Sequence, residues 1–223
     1  MRFFLALFLT LLLLPALTRA DQLKHRQQLQ EGISVTEIQS SAPAETAHIA
    51  KYYVDKAAPG SDYETGNLHI IYTDGTEVIE KIPLKEKSTE ANTVYNQEGI
   101  SDIEVAADKR TIGWTAMVDN CCTSYSVPVS VAIYQSGKKV LHIQQGQMVW
   151  YWTFLNGGKR VSVVWGPTHA AEVGDYQLYD AKTGRMLSEV FGEEEIQGLA
   201  PNAPKWAKLV EEQMHKRRSI IYP

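Results

Sequence analysis

"VWYWTFLNGGKRVSVVW", residues 149–165, sets two runs of aromatic and β-branched residues on either side of Asn156-Gly157-Gly158. Such side chains pack well on a pleated surface, and glycine takes the positive φ that a tight turn demands, so the stretch predicts a β-hairpin. The same grammar returns four times. "LHIIYTDGTEVIEKI" (68–82) turns at Asp74-Gly75, and "DIEVAADKRTIGWTAMV" (102–118) turns at Ala107–Arg110. "SVAIYQSGKKVLHIQ" (130–144) turns at Ser136-Gly137, and "YQLYDAKTGRMLSEV" (176–190) turns around Lys182–Gly184. Hairpins this dense leave little room for helix, and the fold class expected is mainly β.

The hairpins also repeat as larger units. Lys109-Arg110 before "TIGW" and Lys159-Arg160 before "VSVVW" hold equivalent positions, and each strand that follows leads through a polar loop to Ile133-Tyr134 or Leu178-Tyr179. Residues 101–145 and 148–191 therefore read as two copies of one four-stranded antiparallel unit. A weaker copy over 33–82 would join "ISVTEI" (33–38) and "HIAKYYV" (48–54) to the strands at 68–72 and 76–82. "KEKSTEANTVYNQEG" (85–99) is the expected linker between the weak unit and the strong ones. Trp114, Trp150, Trp152 and Trp165 fall in or beside strands and are expected between sheets.

On these residues a resemblance rests. "AADKRTIGW" is similar to the Ser-Pro-Asp-Gly-Lys turn of blades in the TolB-like and WD40-like β-propeller families, and "LYDAKTGRMLSEV" resembles their outer hairpin. The likeness spans roughly 33–191 and implies blade-like sheets used for protein or small-ligand interaction. Known propellers close with four or more blades. Three units would instead form an incomplete or open propeller, complete a ring as a homodimer, or pack as a β-sandwich.

The chain ends are of other kinds. Residues 1–20, "MRFFLALFLTLLLLPALTRA", place Arg2 before an apolar run from Phe3 to Leu17 and small residues at Thr18 and Ala20, the layout of a secretory signal peptide. The run is shorter than the roughly 20 residues a membrane helix needs, so no membrane span is expected after cleavage. A periplasmic or secreted protein follows. Residues 21–32 read as a polar leader. At the other end, residues 201–218 set Trp206, Leu209, Val210 and Met214 on one helical stripe. An amphipathic helix docked on the β domain is expected there, a sheet edge being one place for it, with partner binding as the alternative.

The whole chain carries 22 Lys+Arg against 26 Asp+Glu. Loss of Arg2 and Arg19 with the leader moves the net charge from −4 to −6. That excludes a nucleic-acid role, which needs a basic surface to displace counterions. No nucleophile-elbow, zinc-protease or phosphate-loop motif is present, and no cofactor or metal site is implied. The expectation is a non-catalytic binding or scaffold module with an unknown protein or small-molecule partner. The alternative is an exported hydrolase or thiol redox enzyme using the same loops.

Within each unit the middle connection is the longest and most polar: 55–67, 119–128 and 166–175. Function commonly sits on loops held by a rigid scaffold. The candidate binding rim is therefore Cys121, Cys122, Tyr125, His169 and Glu172, joined by Asp62, Tyr63 and Glu64 in the weak unit. Cys121 and Cys122 are the only cysteines. In an oxidising compartment a Cys121–Cys122 disulfide is expected. Adjacent Cα atoms lie about 3.8 Å apart, closer than the usual disulfide span of about 4.4–6.8 Å, so the bond would close a strained ring that stiffens the loop. Free buried thiols, intermolecular pairing, metal binding and a nucleophilic thiol stay open as alternatives. His69 and His142 lie in strand patterns and are expected to be structural.

Overall fold

A computed structural model describes residues 33–36, 42–55, 66–80, 85–87, 94–118, 126–138, 140–145, 147–167, 174–193 and 198–221. Thirteen strands there form three antiparallel sheets, followed by one helix. The first sheet is β2 (Ile49–Val54), β3 (Leu68–Tyr72) and β4 (Glu77–Glu80), in that order. The second runs β1 (Ile33–Thr36), β9 (Val140–Gln144), β8 (Val127–Gln135), β7 (Thr111–Val118), β6 (Val94–Val105) and β5 (Lys85–Lys87). The third is a plain meander of β10 (Met148–Leu155), β11 (Arg160–Gly166), β12 (Asp175–Asp180) and β13 (Met186–Phe191). All five hairpins form with the turns expected from sequence. So do the two strong units, as β6–β9 and β10–β13.

Three expectations need correction. β1 does not join the first unit; it pairs with β9, Ile33 opposite Ile143. Strand periodicity identifies a strand but not its partner, and β9 offers an open edge of unpaired backbone groups. The segment 85–99 is not a linker, because β5 pairs with the start of β6, Lys85 opposite Asn96. Val94 and Tyr95 are strand formers, while the charged Lys-Glu-Lys run suits an edge strand. The helix, α1 (Lys205–Ile221), lies on a face of the third sheet and not along an edge. Ala207, Val210 and Met214 are buried there and Trp206 partly so, whereas Leu209 is 44% exposed. Ala207 takes the inward place because the stripe is set by contact with Val164, Tyr176 and Val190.

The sheets pack face to face. One core lies between the first and second sheets: Leu68, Ile70, Tyr72 and Val78 against Ile112, Trp114, Ala132, Tyr134 and Val140. The next lies between the second and third: Val131, Ile133, Leu141 and Ile143 against Val149, Trp152, Val161, Val163 and Trp165. Strand β8 serves both, with Ala132 and Tyr134 on one side and Val131 and Ile133 on the other. Apolar side chains on both faces of a strand mark a fully sandwiched sheet. The order of layers is thus sheet, sheet, sheet, helix. Trp114, Trp152 and Trp165 lie between sheets as expected; Trp150 packs on the helix side.

Specific contacts join the layers. Glu104 on β6 accepts hydrogen bonds from the Thr153 hydroxyl and the Phe154 amide of β10, each at 3.3 Å. Burial holds its carboxyl above the usual range. The Arg217 guanidinium of α1 pairs with Asp102. Asp102 stands at φ 50 inside a β6 bulge, which turns its side chain toward the helix.

Candidate binding rim

The tight turns of all three sheets gather at one end. The Ile49 amide, beside the β3–β4 turn, donates to the Lys109 carbonyl in the β6–β7 turn at 2.7 Å. A Cβ on Gly158 in the β10–β11 turn would lie 2.7 Å from the Ala106 Cβ, so that turn abuts the β6–β7 turn as well. In an antiparallel meander alternate connections leave from opposite ends. The β2–β3, β7–β8 and β11–β12 loops therefore all leave from the other end of the stack.

Cys121, Cys122 and Tyr125 lie outside the described residues, as do His169, Glu172, Asp62, Tyr63 and Glu64. What the structure describes is the frame on which those loops are mounted. The β2–β3 loop is closed at its base by Asp55, whose Oδ2 accepts from the Asn67 amide at 3.1 Å and the Asn67 side chain at 3.0 Å. These bonds, the backbone one above all, hold the Asp55 carboxyl below its ordinary range. Val118 and Val127 pair across the base of the second loop. Gly166 and Gly174 flank the third, with the Trp150 ring against both. A Cβ on Gly166 would fall 2.0 Å from that ring, so only glycine fits there.

Two acids near this end are pushed the other way. Glu80, the last residue of β4, is 3% exposed. Burial lifts its carboxyl to about 7, against a smaller lowering by His142. Asp175, the first residue of β12, rises to about 6, through burial and then the nearby charge of Glu189. Carboxyls poised near neutrality can release or take up a proton at working pH.

A further cluster lies on the outer face of the first sheet. His69 Nδ1 sits 2.7 Å from Glu77 Oε1 and its Nε2 3.0 Å from Asp55 Oδ1. Both contacts are hydrogen bonds only when both nitrogens carry protons. The ring stacks on Tyr53 at 4.4 Å, and the Tyr53 hydroxyl donates to Glu77 at 3.2 Å. His69 is thus well partnered, in keeping with a structural role. The two carboxylates flank opposite ring nitrogens instead of converging. Among the described residues no group of three His, Cys, Asp or Glu could hold a metal ion.

Glu80, Asp175, Gln177 and Glu189 were not singled out from sequence. The signal was there in the alternation: Glu80 shares a strand face with Val78, and Asp175 and Gln177 share one with Tyr179. A charged or amide residue at an inward strand position marks a polar group the sheet must bury. No protein-family model matches the chain, and no curated protein matches it.

Proposed function

We propose that this is an exported, non-catalytic recognition module in which three propeller-like blades carry the loops 56–65, 119–125 and 168–173 on one rim. The observation that supports the reading is the joining of the tight turns at one end, so that the β2–β3, β7–β8 and β11–β12 connections leave their strands at the other. Export to the periplasm or beyond follows from the layout of residues 1–20. No helix among the described residues is long and apolar enough to cross a membrane. The partner is a protein or a small molecule met in that compartment, and a second copy completing the ring is the assembly this reading allows.

Replacement of 119–125 and of 168–173 by Gly-Ser linkers tests the rim. The expected result is an unchanged fold by circular dichroism with loss of every partner captured by the native protein. Retention of the partner by both variants contradicts it. The Cys121–Cys122 bond is checked by mass: the mature non-reduced chain should lack two hydrogens and take no alkylating label until reduced. Two labels without reductant would contradict the bond.

The enzyme alternative gains support from Asp175, whose carboxyl stands near the pH at which a general acid works. A hydrolase would turn over a chromogenic ester or glycoside and lose that turnover in Asp175→Asn. Absence of turnover across both substrate classes counts against it.

A further inference from the structure

The outer face of the first sheet holds a histidine whose two ring nitrogens make demands that only one protonation state can meet. His69 lies on the central strand, β3, between Tyr53 of β2 and Ile79 of β4. Its Nδ1 meets Glu77 Oε1 at 2.7 Å, and its Nε2 meets Asp55 Oδ1 at 3.0 Å. Glu77 belongs to β4 and Asp55 directly follows β2, so one ring bridges all three strands. Both carboxyls are held below their ordinary range, Glu77 chiefly by its bond to His69 and Asp55 chiefly by the Asn67 amide. An ionised carboxylate only accepts, whereas a neutral imidazole has one N–H and one bare nitrogen. The arrangement therefore requires the imidazolium. With a neutral ring a bare nitrogen would face an anionic oxygen, and that contact must open.

The surroundings decide which contact opens. Asp55 is fixed, because its Oδ2 accepts from the Asn67 amide at 3.1 Å and from the Asn67 side chain at 3.0 Å. Glu77 has a longer side chain, 42% exposed, held besides by the Tyr53 hydroxyl at 3.2 Å. The Tyr53 ring lies flat on the imidazole, with centroids 4.4 Å apart and planes 8° from parallel. An aromatic face attracts a cation, and that attraction leaves with the proton. Lys51, exposed on β2, also draws the Glu77 carboxylate. Among the described residues, Lys51, Tyr53, Asp55 and Glu77 are the titratable groups that act on this cluster.

We propose that His69 is a proton-operated clamp, which when charged ties β2 and β4 to β3 and pins Tyr53 on the sheet, and when neutral releases Glu77 and the Tyr53 ring together. Glu77 then turns to Lys51, and the phenol moves into solvent. With both carboxylates ionised, the clamp is closed below the titration of the ring and opens as pH rises through it. The inference goes beyond the rim reading and does not depend on it, since no residue of the three long loops takes part.

The test is nuclear magnetic resonance of the full mature chain with isotope-labelled histidine, titrated from about pH 5 to about pH 9. The ring of His69 is assigned through His69→Gln. At the acid end both of its nitrogens should carry protons. The Overhauser contact between the Tyr53 and His69 rings should then fall roughly twofold or more, with the same midpoint as the ring itself. In Glu77→Gln that contact should stay constant, because the amide turns its oxygen to an Nδ1–H and its NH2 to a bare Nδ1. The native titration decides alone if this variant does not fold. A ring contact unchanged through the titration overturns the proposal. So does a single protonated nitrogen at the acid end, a ring that never changes state across the range, or an equal loss of contact in Glu77→Gln.

Discussion

At the tight-turn end of the stack acidic side chains serve the backbone, whereas at the loop end Glu80 is buried and Asp175 half-buried. Asp74 accepts from the Thr76 and Ala44 amides at 2.9 and 2.7 Å. Asp180 accepts from Lys182 and Thr183 amides and from the Thr183 hydroxyl. Asp108 does the same for Arg110 and Thr111. Such bonds favour the ionised form, and Asp74 and Asp180 are lowered accordingly. Glu80 and Asp175, at the other end, are raised by burial. Among the described residues Asp55 is the exception at that end, and it closes the base of a loop by accepting from a backbone amide. Turn acids thus fix geometry, while the buried Glu80 and half-buried Asp175 hold their protons to higher pH.

The contrast is meaningful only if the stack between the two ends is rigid, and the largest predicted effect tests that. Trp152 is 1% exposed, meets Phe154 edge-on at 5.3 Å, and lies in the core between the second and third sheets. Trp152→Ala should cost about 3–5 kcal/mol of stability, read from denaturant unfolding. A cost under about 1 kcal/mol would mean the sheets are not locked.

Next comes pH. The folded protein holds the Glu80 proton to about 7, whereas an unperturbed glutamate releases it near 4.5. Between those values the native state binds more protons than the unfolded chain, so stability falls as pH rises through that window. The loss from Glu80 is on the order of 3 kcal/mol. Asp175 adds a smaller loss of the same sign between 3.8 and about 6. Thermal melts across the window should show this fall in the native protein and a shallower one in Glu80→Gln. Equal slopes would remove the buried acid from the account.

Smaller effects sharpen the comparison. A Cβ on Gly113 would lie 2.8 Å from the Trp152 ring and 3.0 Å from the Ala132 carbonyl, so Gly113→Ala should cost about 1–3 kcal/mol. Asp180→Ala, which removes only turn bonds, should cost about 1 kcal/mol and leave partner binding intact. Loss of binding in Asp180→Ala would show that the tight-turn end takes part in recognition.

Much of this fold was legible because it is local. The turn residues of each hairpin and the alternation of flanking strands lie within a few positions of one another, so all five hairpins and both four-stranded units could be read directly. Pairing between distant segments was not legible: nothing in "ISVT" says it will meet β9 and not β2. Leu209 and Ala207 share the problem, since the inward face of a helix is set by what it packs on. In the candidate site, the polar positions of β12 could have been found from alternation, but the lifting of Asp175 comes first from burial and then from Glu189, and both are set by packing and by the β12–β13 pairing.

The most direct measurement is site-specific photo-crosslinking of the exported protein in its own compartment. Photoreactive residues would be placed at Ser126 and Pro167, at the loop end, and at Gly157 and Lys182, at the tight-turn end. The rim account predicts the same adduct from both loop-end positions and none from the turn end. Equal adducts from Gly157 or Lys182, or adducts from those positions alone, would contradict it.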